Sequence, residues 1–175
     1  LGLMMHRWDF VAAFLQGSLE PGEVLYCYPP PGYESIRLNE DGKYDPNGDM
    51  RTIDEHGRPL MCEVTKPIYG MVQAGRRWQR TLYPWLRDYG FDQLWSDSNV
   101  FVLRKGQEII ILGCYVDDLF TLHSHDDQGS EYHKFIRALD KRWDIEDEGE
   151  ISDLLNVTIE RTKIGVLLHQ APYIK

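Results

Sequence analysis

The sequence predicts an α+β fold, in which helices pack on one face of an antiparallel sheet. Consecutive strand-like segments are joined by short turns, which is typical of antiparallel pairs. Two longer segments repeat apolar residues with a helical period, so each has one face that can cover the sheet. The 175 residues contain no internal repeat, and we expect one domain over residues 1–175.

The first third of the chain alternates short elements with loops. Residues 4–11 predict a strand, and the next segment predicts a short helix that ends at Gly17. The segment GEVLYCYPPPGY predicts a strand that ends at its proline run, because proline cannot continue a strand ladder. Residues 34–59 are polar and rich in Gly, Asp and Asn, which predicts a variable surface excursion.

Two amphipathic helices are the clearest elements of the remaining chain. The first is predicted over residues 74–89 and ends at Gly90; the second is predicted over residues 129–143. Their apolar faces are formed by Trp78, Leu82, Trp85, Leu86 and Tyr89, and by Tyr132, Phe135, Ile136, Leu139 and Trp143. Further strands are predicted over residues 61–64, 99–104, 108–115, 119–122, 154–161 and 166–169. The charged run DIEDEGE between helix and final hairpin is typical of a solvated turn.

Composition limits the functional class. The net charge of −9 argues against a free-standing nucleic-acid-binding protein, although not against a fragment whose basic surfaces lie elsewhere. No apolar run is long enough to span a membrane, and no signal peptide opens the chain. Three scattered cysteines predict neither disulfides nor a zinc site, so we expect an intracellular, reducing compartment. The abrupt first and last segments suggest a piece of a longer protein.

Two adjacent acids, Asp117 and Asp118, interrupt the apolar stretch GCYVDDLFTL. Side chains alternate faces along a strand, so both acids can lie at one spot only if a tight turn at residues 116–118 presents them. Asp9 lies near the end of the first predicted strand. If the two strands are neighbours, three carboxylates meet, and they cannot all stay ionised without a cation. Asp117 is then the better candidate for a metal ligand, and Asp118 the weaker one.

Such a group of carboxylate oxygens suits Mg²⁺, with Mn²⁺ as a possible substitute. Two Mg²⁺ ions about 3.5–4 Å apart hold the attacking and leaving oxygens in phosphoryl transfer. The sequence therefore predicts a two-ion magnesium site that acts on a phosphate-containing substrate.

Five ordered segments resemble the reverse transcriptase of copia-type LTR retrotransposon polyproteins. They are WDFVAAFLQGSLEPGEVLYCYPPPGYE, KPIYGMVQAGRRW, YGFDQLWSDSNVFVL, YVDD and DEGEISDLLNVTIER. The resemblance implies a polymerase palm that lacks most of its fingers and thumb. It implies that Asp9 and Asp117 bind both metal ions, with Asp118 beside them and the backbone carbonyl of Phe10 as a further ligand. It also implies that Phe14 excludes a sugar 2′-hydroxyl.

The same resemblance implies the substrates and partners. Gln73 and Tyr115 would contact the incoming nucleotide, and the partners would be an RNA template, a DNA primer and dNTPs. The fingers, thumb, RNase H and integrase would belong to the rest of the Pol polyprotein. The expected location is the cytoplasm, within a virus-like particle, and the oligomeric state is left open.

The clearest basic cluster follows Gln73 at the start of the first long helix. Its members are Lys66, Arg76, Arg77 and Arg80. Arginine side chains suit phosphate groups, so this cluster is a candidate contact for the template backbone. A solvated helix face explains the cluster equally well.

Three other interpretations remain open. In the first, the chain is an inactive transposon remnant. In the second, it is an unrelated magnesium-dependent nuclease. The nuclease would use Asp9 and Asp117 with one acid from Glu146, Glu148 or Glu150. The segment HSHDD is a weak candidate for a transition-metal site through His123 and His125, but an exposed strand end is the more economical interpretation.

Overall fold

A computed structural model describes residues 2–29 and 61–174 of the chain. The predicted surface excursion at residues 34–59 lies outside the described residues. In chain order the elements are β1 (Met4–Phe10), α1 (Ala13–Gln16), β2 (Tyr26–Cys27), β3 (Cys62–Glu63), α2 (Ala74–Tyr89), β4 (Asp92–Gln93), β5 (Val100–Lys105), β6 (Glu108–Tyr115), β7 (Asp118–His123), α3 (Glu131–Asp140), β8 (Ile145–Glu150), β9 (Asp153–Leu154), β10 (Val157–Thr162) and β11 (Gly165–His169).

A six-stranded sheet in the order β4-β5-β6-β7-β1-β8 forms the centre of the fold. Each of its neighbouring strands pairs antiparallel. Strand β1 therefore lies between β7 and β8, although both follow it far along the chain. A three-stranded sheet, β11-β10-β9, and the small β2-β3 pair complete the described strands. The predicted α+β class is confirmed.

Helices α2 and α3 share one hydrophobic core with the six-stranded sheet. From the strands it takes Phe10, Phe101, Leu103, Ile110, Leu112, Cys114 and Leu119; from the helices it takes Trp78, Leu82, Tyr83, Leu86, Tyr132, Phe135, Ile136 and Leu139. Aromatic rings join the two helices, since Tyr89 packs edge-on against Phe135 with ring centroids 5.3 Å apart. The helical faces predicted from the apolar period are the faces that pack on the sheet.

Both long helices have clear end signals. Gly90 follows α2 with φ 119°, a left-handed conformation that glycine adopts without a steric penalty. Ser130 caps α3, because its side chain accepts a hydrogen bond from the N–H of His133. Helix α3 is shorter at both ends than predicted, because its cap lies at Ser130 and its last turn gives way to the loop before β8.

One prediction about the elements is wrong. The run DIEDEGE is a strand for most of its length, because β8 pairs with β1 and extends the central sheet beyond it. Its side chains are largely exposed on this edge strand, so the local sequence shows charge and no apolar alternation. Tertiary pairing decides the structure here, which a charge pattern does not reveal.

The strand predicted over GEVLYCYPPPGY is restricted to Tyr26–Cys27 in the described residues. Cys27 lies opposite Cys62 in the β2-β3 pair, and all three cysteines are thiols. Within residues 2–29 and 61–174, no helix is long and apolar enough to cross a membrane.

Candidate active site

The β6–β7 hairpin presents the two adjacent acids. Tyr115 pairs with Asp118, so Val116 and Asp117 form the loop between the strands. Val116 has φ 53°, a backbone conformation that β-branched residues rarely adopt. The tight turn predicted at residues 116–118 is confirmed, and Asp117 lies at its tip.

Strand β1 brings Asp9 to this hairpin. Asp9 lies directly opposite Asp118 in the β1–β7 register, which places their side chains on the same face of the sheet. The N–H of Phe10 donates to the carbonyl oxygen of Asp117 over 2.7 Å. The predicted meeting of the first strand with the acidic hairpin is therefore present in the structure. The ring of Phe10 points the other way, into the core, where it is 1% exposed.

Helix α2 supports the hairpin from the core side. The indole N–H of Trp78 donates to the carbonyl oxygen of Val116 over 2.9 Å. The Trp78 ring packs edge-on against Phe10, with centroids 4.9 Å apart. One buried side chain thus contacts both segments that carry the acids.

Asp9 stands in a strongly negative field. Burial raises the pKa of its carboxyl above the ordinary value, and the charge of Asp117 raises it further. Glu148, Asp118 and Glu146 act in the same direction. Carboxylates placed this closely favour either a proton or a cation among them.

Asp118 already has a cationic partner. Arg7 donates to Asp118 Oδ1 from Nε over 3.0 Å and from Nη2 over 2.8 Å. The same guanidinium also lies 2.6 Å from Glu148 and 3.5 Å from Asp153. Arg7 therefore ties the hairpin to β8 and β9, and it neutralises part of the charge around Asp118.

Asp117 has a different partner. The hydroxyl of Tyr69 donates to Asp117 Oδ1 over 2.8 Å. Burial, followed by this hydrogen bond, raises the pKa of Tyr69 to about 12. The Tyr69 ring also lies against Phe14, with centroids 4.5 Å apart and planes inclined by 34°. Tyr69 thus bridges a predicted catalytic acid and the residue predicted to contact the sugar.

The start of α2 contains an internal ion-pair network. Arg77 lies 3.0 Å from Glu23 and also contacts Glu20, and its side chain is only 12% exposed. Arg80 pairs with Glu20 as well. Gln73 donates to Glu23 Oε1 over 3.4 Å. Part of the predicted basic cluster is therefore balanced by acids of the same chain, which sequence proximity did not reveal.

The other predicted contact residues lie at the surface. Lys66 and Arg76 are exposed, and so is Tyr115, at 52%. Tyr115 stands at the end of β6, directly before the acidic turn.

The oxygen donors at this junction fit a hard divalent cation, because Asp9 and Asp117 supply carboxylates and the neighbouring acids make the field at Asp9 negative. Among residues 2–29 and 61–174, no group of three or more His, Cys, Asp or Glu side chains is arranged to hold an ion by itself. Mg²⁺ is commonly bound by one or two carboxylates together with substrate phosphates. The donor set therefore fits an ion that the two carboxylates bind weakly and that substrate phosphates hold more tightly.

The weak alternative at HSHDD is not an exposed strand end. His123 is 2% exposed in β7, and its ring stacks on Tyr132 with centroids 3.5 Å apart. Burial lowers the pKa of His123 to about 4. His125 is exposed and does not share this environment.

Two functional candidates were missed in the sequence. Tyr69 lies inside the segment KPIYGMVQAGRRW, but no local pattern connects it with Asp117. Arg7 was detectable, because a residue two positions before Asp9 lies on the same strand face. Its partner Glu148 was not detectable in this role, since the strand β8 was unrecognised.

Comparison with known proteins adds independent information. A family model described as "Reverse transcriptase (RNA-dependent DNA polymerase)" matches residues 2–175. The chain is 29% identical over 170 residues to the "Retrovirus-related Pol polyprotein from transposon RE1" of Arabidopsis thaliana. The matched stretch is 97% of this chain and 10% of that protein.

Two further relatives have the same kind of name. The RE2 transposon polyprotein of Arabidopsis thaliana is 30% identical over 169 residues, or 97% of this chain and 10% of the relative. The TNT 1-94 transposon polyprotein of Nicotiana tabacum is 29% identical over 178 residues, or 100% of this chain and 12% of the relative. The chain thus spans about a tenth of the length of these relatives. No solved structure shows a significant match.

Proposed function

Because the chain belongs to the reverse transcriptase (RNA-dependent DNA polymerase) family, we propose that it forms the palm of an RNA-directed DNA polymerase. The transposon polyproteins among its relatives confirm the resemblance to retrotransposon reverse transcriptases. The proposed reaction is the transfer of a nucleotide from a dNTP to the 3′-hydroxyl of a DNA primer on an RNA template.

One observation carries this proposal: the strand with Asp9 pairs with the hairpin that presents Asp117. Acids from two separate segments are close enough there for the charge of Asp117 to act on Asp9. The raised pKa of Asp9 means that the ionised pair is costly without a cation. Side chains whose pKa values are shifted by burial and by neighbouring charges are common in catalytic centres.

We assign the metal-binding role to Asp9 and Asp117, with the backbone carbonyl of Phe10 as a further oxygen ligand. Two Mg²⁺ ions, or Mn²⁺ in their place, supply charge stabilisation at the attacking and leaving oxygens when bound. The structure favours a supporting role for Asp118, because Arg7 occupies one of its oxygens. Its negative charge still contributes to the field at Asp9.

We assign the nucleotide to the surface next to this junction. Phe14 is suitably placed to discriminate deoxyribose from ribose, because its ring is held against Tyr69 beside Asp117. Gln73 and Tyr115 are the other proposed nucleotide contacts. The exposed Lys66 and Arg76, with Arg80, are the proposed contacts to the template backbone, whereas Arg77 holds Glu20 and Glu23 in place.

The proposed setting is a Pol polyprotein that also carries fingers, thumb, RNase H and integrase and acts inside the cell. Neutralisation of phosphates by Lys and Arg supplies much of the affinity for nucleic acid. This chain has a net charge of −9, so its own affinity for a primer–template is expected to be low. We therefore expect weak activity, or none, from the 175 residues alone.

The test is primer extension by a longer polypeptide that restores the flanking polymerase sequence. We expect it to extend a DNA primer on RNA when Mg²⁺ and dNTPs are present, and the Asp117→Asn variant to be inactive. A matched control is Asp88→Asn on the exposed surface of α2, which is expected to retain activity. Absence of extension, under conditions in which a related polymerase works, contradicts the proposal and favours an inactive remnant.

The same samples test the nuclease alternative. Glu146 and Glu148 lie in β8 close enough to raise the pKa of Asp9, so an acid-rich nuclease site is the second candidate. Cleavage of nucleic acid without dNTPs, lost in Asp117→Asn, would favour that candidate. We expect no such cleavage, because Glu148 is already paired with Arg7.

A further inference from the structure

We propose that Tyr69 is a positioning residue: its hydroxyl orients the Asp117 carboxylate for metal binding, and its ring supports Phe14 for sugar discrimination. This inference rests on the function proposed above. It means that the single side chain of Tyr69 connects the proposed metal site with the proposed nucleotide site.

Asp117 needs such a partner because it lies in a turn. Asp9 and Asp118 belong to paired strands, whose register fixes their faces. Asp117 lies in the loop between Tyr115 and Asp118; its carbonyl oxygen accepts from Phe10, but no strand register fixes the direction of its side chain. The hydrogen bond from Tyr69 engages Oδ1, which restrains the rotation of the carboxylate and leaves its second oxygen as a ligand.

The hydrogen bond joins a neutral hydroxyl donor to a carboxylate oxygen of Asp117. Hydrogen bonds in which the acceptor is a carboxylate are stronger than bonds between neutral groups. The phenol hydroxyl of Tyr69 supplies one O–H donor and carries no charge. An uncharged donor is well suited to this place, since it orients the acid without competing with a cation by charge.

The backbone around Tyr69 keeps the side chain in position. Pro67, two residues before it, is fully buried, and lies close to Gly17 beyond the end of α1. The N–H of Met71 donates to the carbonyl oxygen of Ile68 over 3.2 Å, which closes a turn around Tyr69. Tyr69 is therefore presented from an anchored segment, although the residue is 49% exposed.

The two contacts of Tyr69 are chemically separable. The hydroxyl contacts Asp117 and the ring contacts Phe14. Tyr69→Phe removes the hydroxyl and keeps the ring, whereas Tyr69→Leu removes both. The proposal therefore predicts different defects for the two variants.

Metal binding tests the hydroxyl contact without requiring activity. The 175-residue chain is titrated with Mn²⁺, and the unbound ion is measured by electron paramagnetic resonance. We expect Tyr69→Phe to bind Mn²⁺ about tenfold more weakly, the usual effect of losing a residue that orients a ligand. Tyr173→Phe, at a side chain that is 77% exposed, is the matched control and should bind like the wild type.

The outcomes separate this inference from the proposed function. If Asp117→Asn loses Mn²⁺ binding while Tyr69→Phe binds like the wild type, the positioning role is wrong and the metal site stands. If Asp117→Asn binds Mn²⁺ normally, both the metal site and the role of Tyr69 are wrong. Thermal melting of each variant ensures that only folded protein is compared.

Nucleotide selection tests the ring contact. In the longer polypeptide, we expect Tyr69→Leu to lower the preference for dNTPs over rNTPs about tenfold, a typical effect of altered pocket packing. Tyr69→Phe should keep the preference while lowering the extension rate at limiting Mg²⁺. An unchanged preference in Tyr69→Leu would contradict the support of Phe14 by Tyr69.

Discussion

The N–H of Phe10 donates to the carbonyl oxygen of Asp117 over 2.7 Å. This bond joins the end of β1 to the loop of the β6–β7 hairpin, and it places Asp9 next to the acidic turn. Asp9 and Asp117, which are far apart in the sequence, therefore lie close together in the fold. The proposed metal site depends on this junction and on the side chains that support it.

Asp9→Asn should abolish polymerase activity and stabilise the fold. The pKa of Asp9 is raised, so the folded state binds a proton more tightly than the unfolded state does. The stability of the fold therefore decreases as the pH rises from the ordinary carboxyl pKa through the raised pKa of Asp9. At pH 7 the ionised Asp9 is destabilising. Asparagine removes this charge, and a rise of about 2–4 °C in melting temperature is expected, as about 1 kcal/mol produces in a domain of this size.

Mg²⁺ provides the control for that experiment. A cation that binds only the folded state raises its stability, so Mg²⁺ should increase the melting temperature of the wild type. It should have little effect on Asp9→Asn. Equal stabilisation of both proteins would show that the ion binds elsewhere.

Arg7→Gln should release Asp118 and weaken the attachment of the hairpin to β8. The guanidinium is 27% exposed and contacts Asp118, Glu148 and Asp153, so its loss leaves three acids without their cation. We expect a loss of about 1–2 kcal/mol in the free energy of unfolding, measured in urea. Arg161→Gln is the matched control, because Arg161 pairs with Glu150 at a more exposed site. Equal losses in the two variants would contradict a special role for Arg7.

Trp78→Phe should disturb the acidic turn from the core side. The variant keeps an aromatic ring next to Phe10 but leaves the carbonyl oxygen of Val116 without its indole donor. Loss of this partly buried hydrogen bond is expected to cost about 1 kcal/mol, which chemical denaturation can measure. Primer extension should fall as well, because Val116 precedes Asp117. Trp95→Phe, at a fully exposed tryptophan, should change neither quantity.

His123→Phe should remove an acid sensitivity of the fold. Burial lowers the pKa of His123 from 6.5 to about 4, although Asp126 opposes the shift and His6 and His133 add to it. The stabilisation linked to neutral His123 is present above pH 6.5 and is lost as pH falls towards 4. A full loss amounts to about 2–4 kcal/mol.

Urea unfolding between pH 7 and pH 4 measures this dependence. Phenylalanine keeps a ring against Tyr132 and cannot be protonated, so the variant should lose less stability than the wild type on acidification. His125→Phe, two residues further along at an exposed position, should retain the wild-type dependence. If the wild type and His123→Phe show the same slope, the burial of His123 does not control acid stability.

The sequence predicted those parts of the fold that local patterns determine. The apolar period gave the bounds of α2, because its buried face and its terminal Gly90 are both local signals. The alternation around YVDD predicted β6, β7 and the tight turn, since two apolar strands enclose two acids. The meeting of Asp9 with this turn followed from the resemblance and from the charge argument together.

The parts that the sequence did not predict depend on distant contacts. The strand β8 is charged and exposed, and only its pairing with β1 makes it a strand. The role of Tyr69 depends on a hydrogen bond to a residue 48 positions away. The ion pairs of Arg77 with Glu20 and Glu23 follow from the packing of the segment after α1 against α2.

The most direct test of the central claim is anomalous diffraction from the longer polypeptide, crystallised with primer–template, an incoming dNTP and Mn²⁺. We expect anomalous peaks between the carboxylates of Asp9 and Asp117 and the dNTP phosphates. Mn²⁺ bound only at other acids, with Asp9 and Asp117 making no contact to an ion, would contradict it.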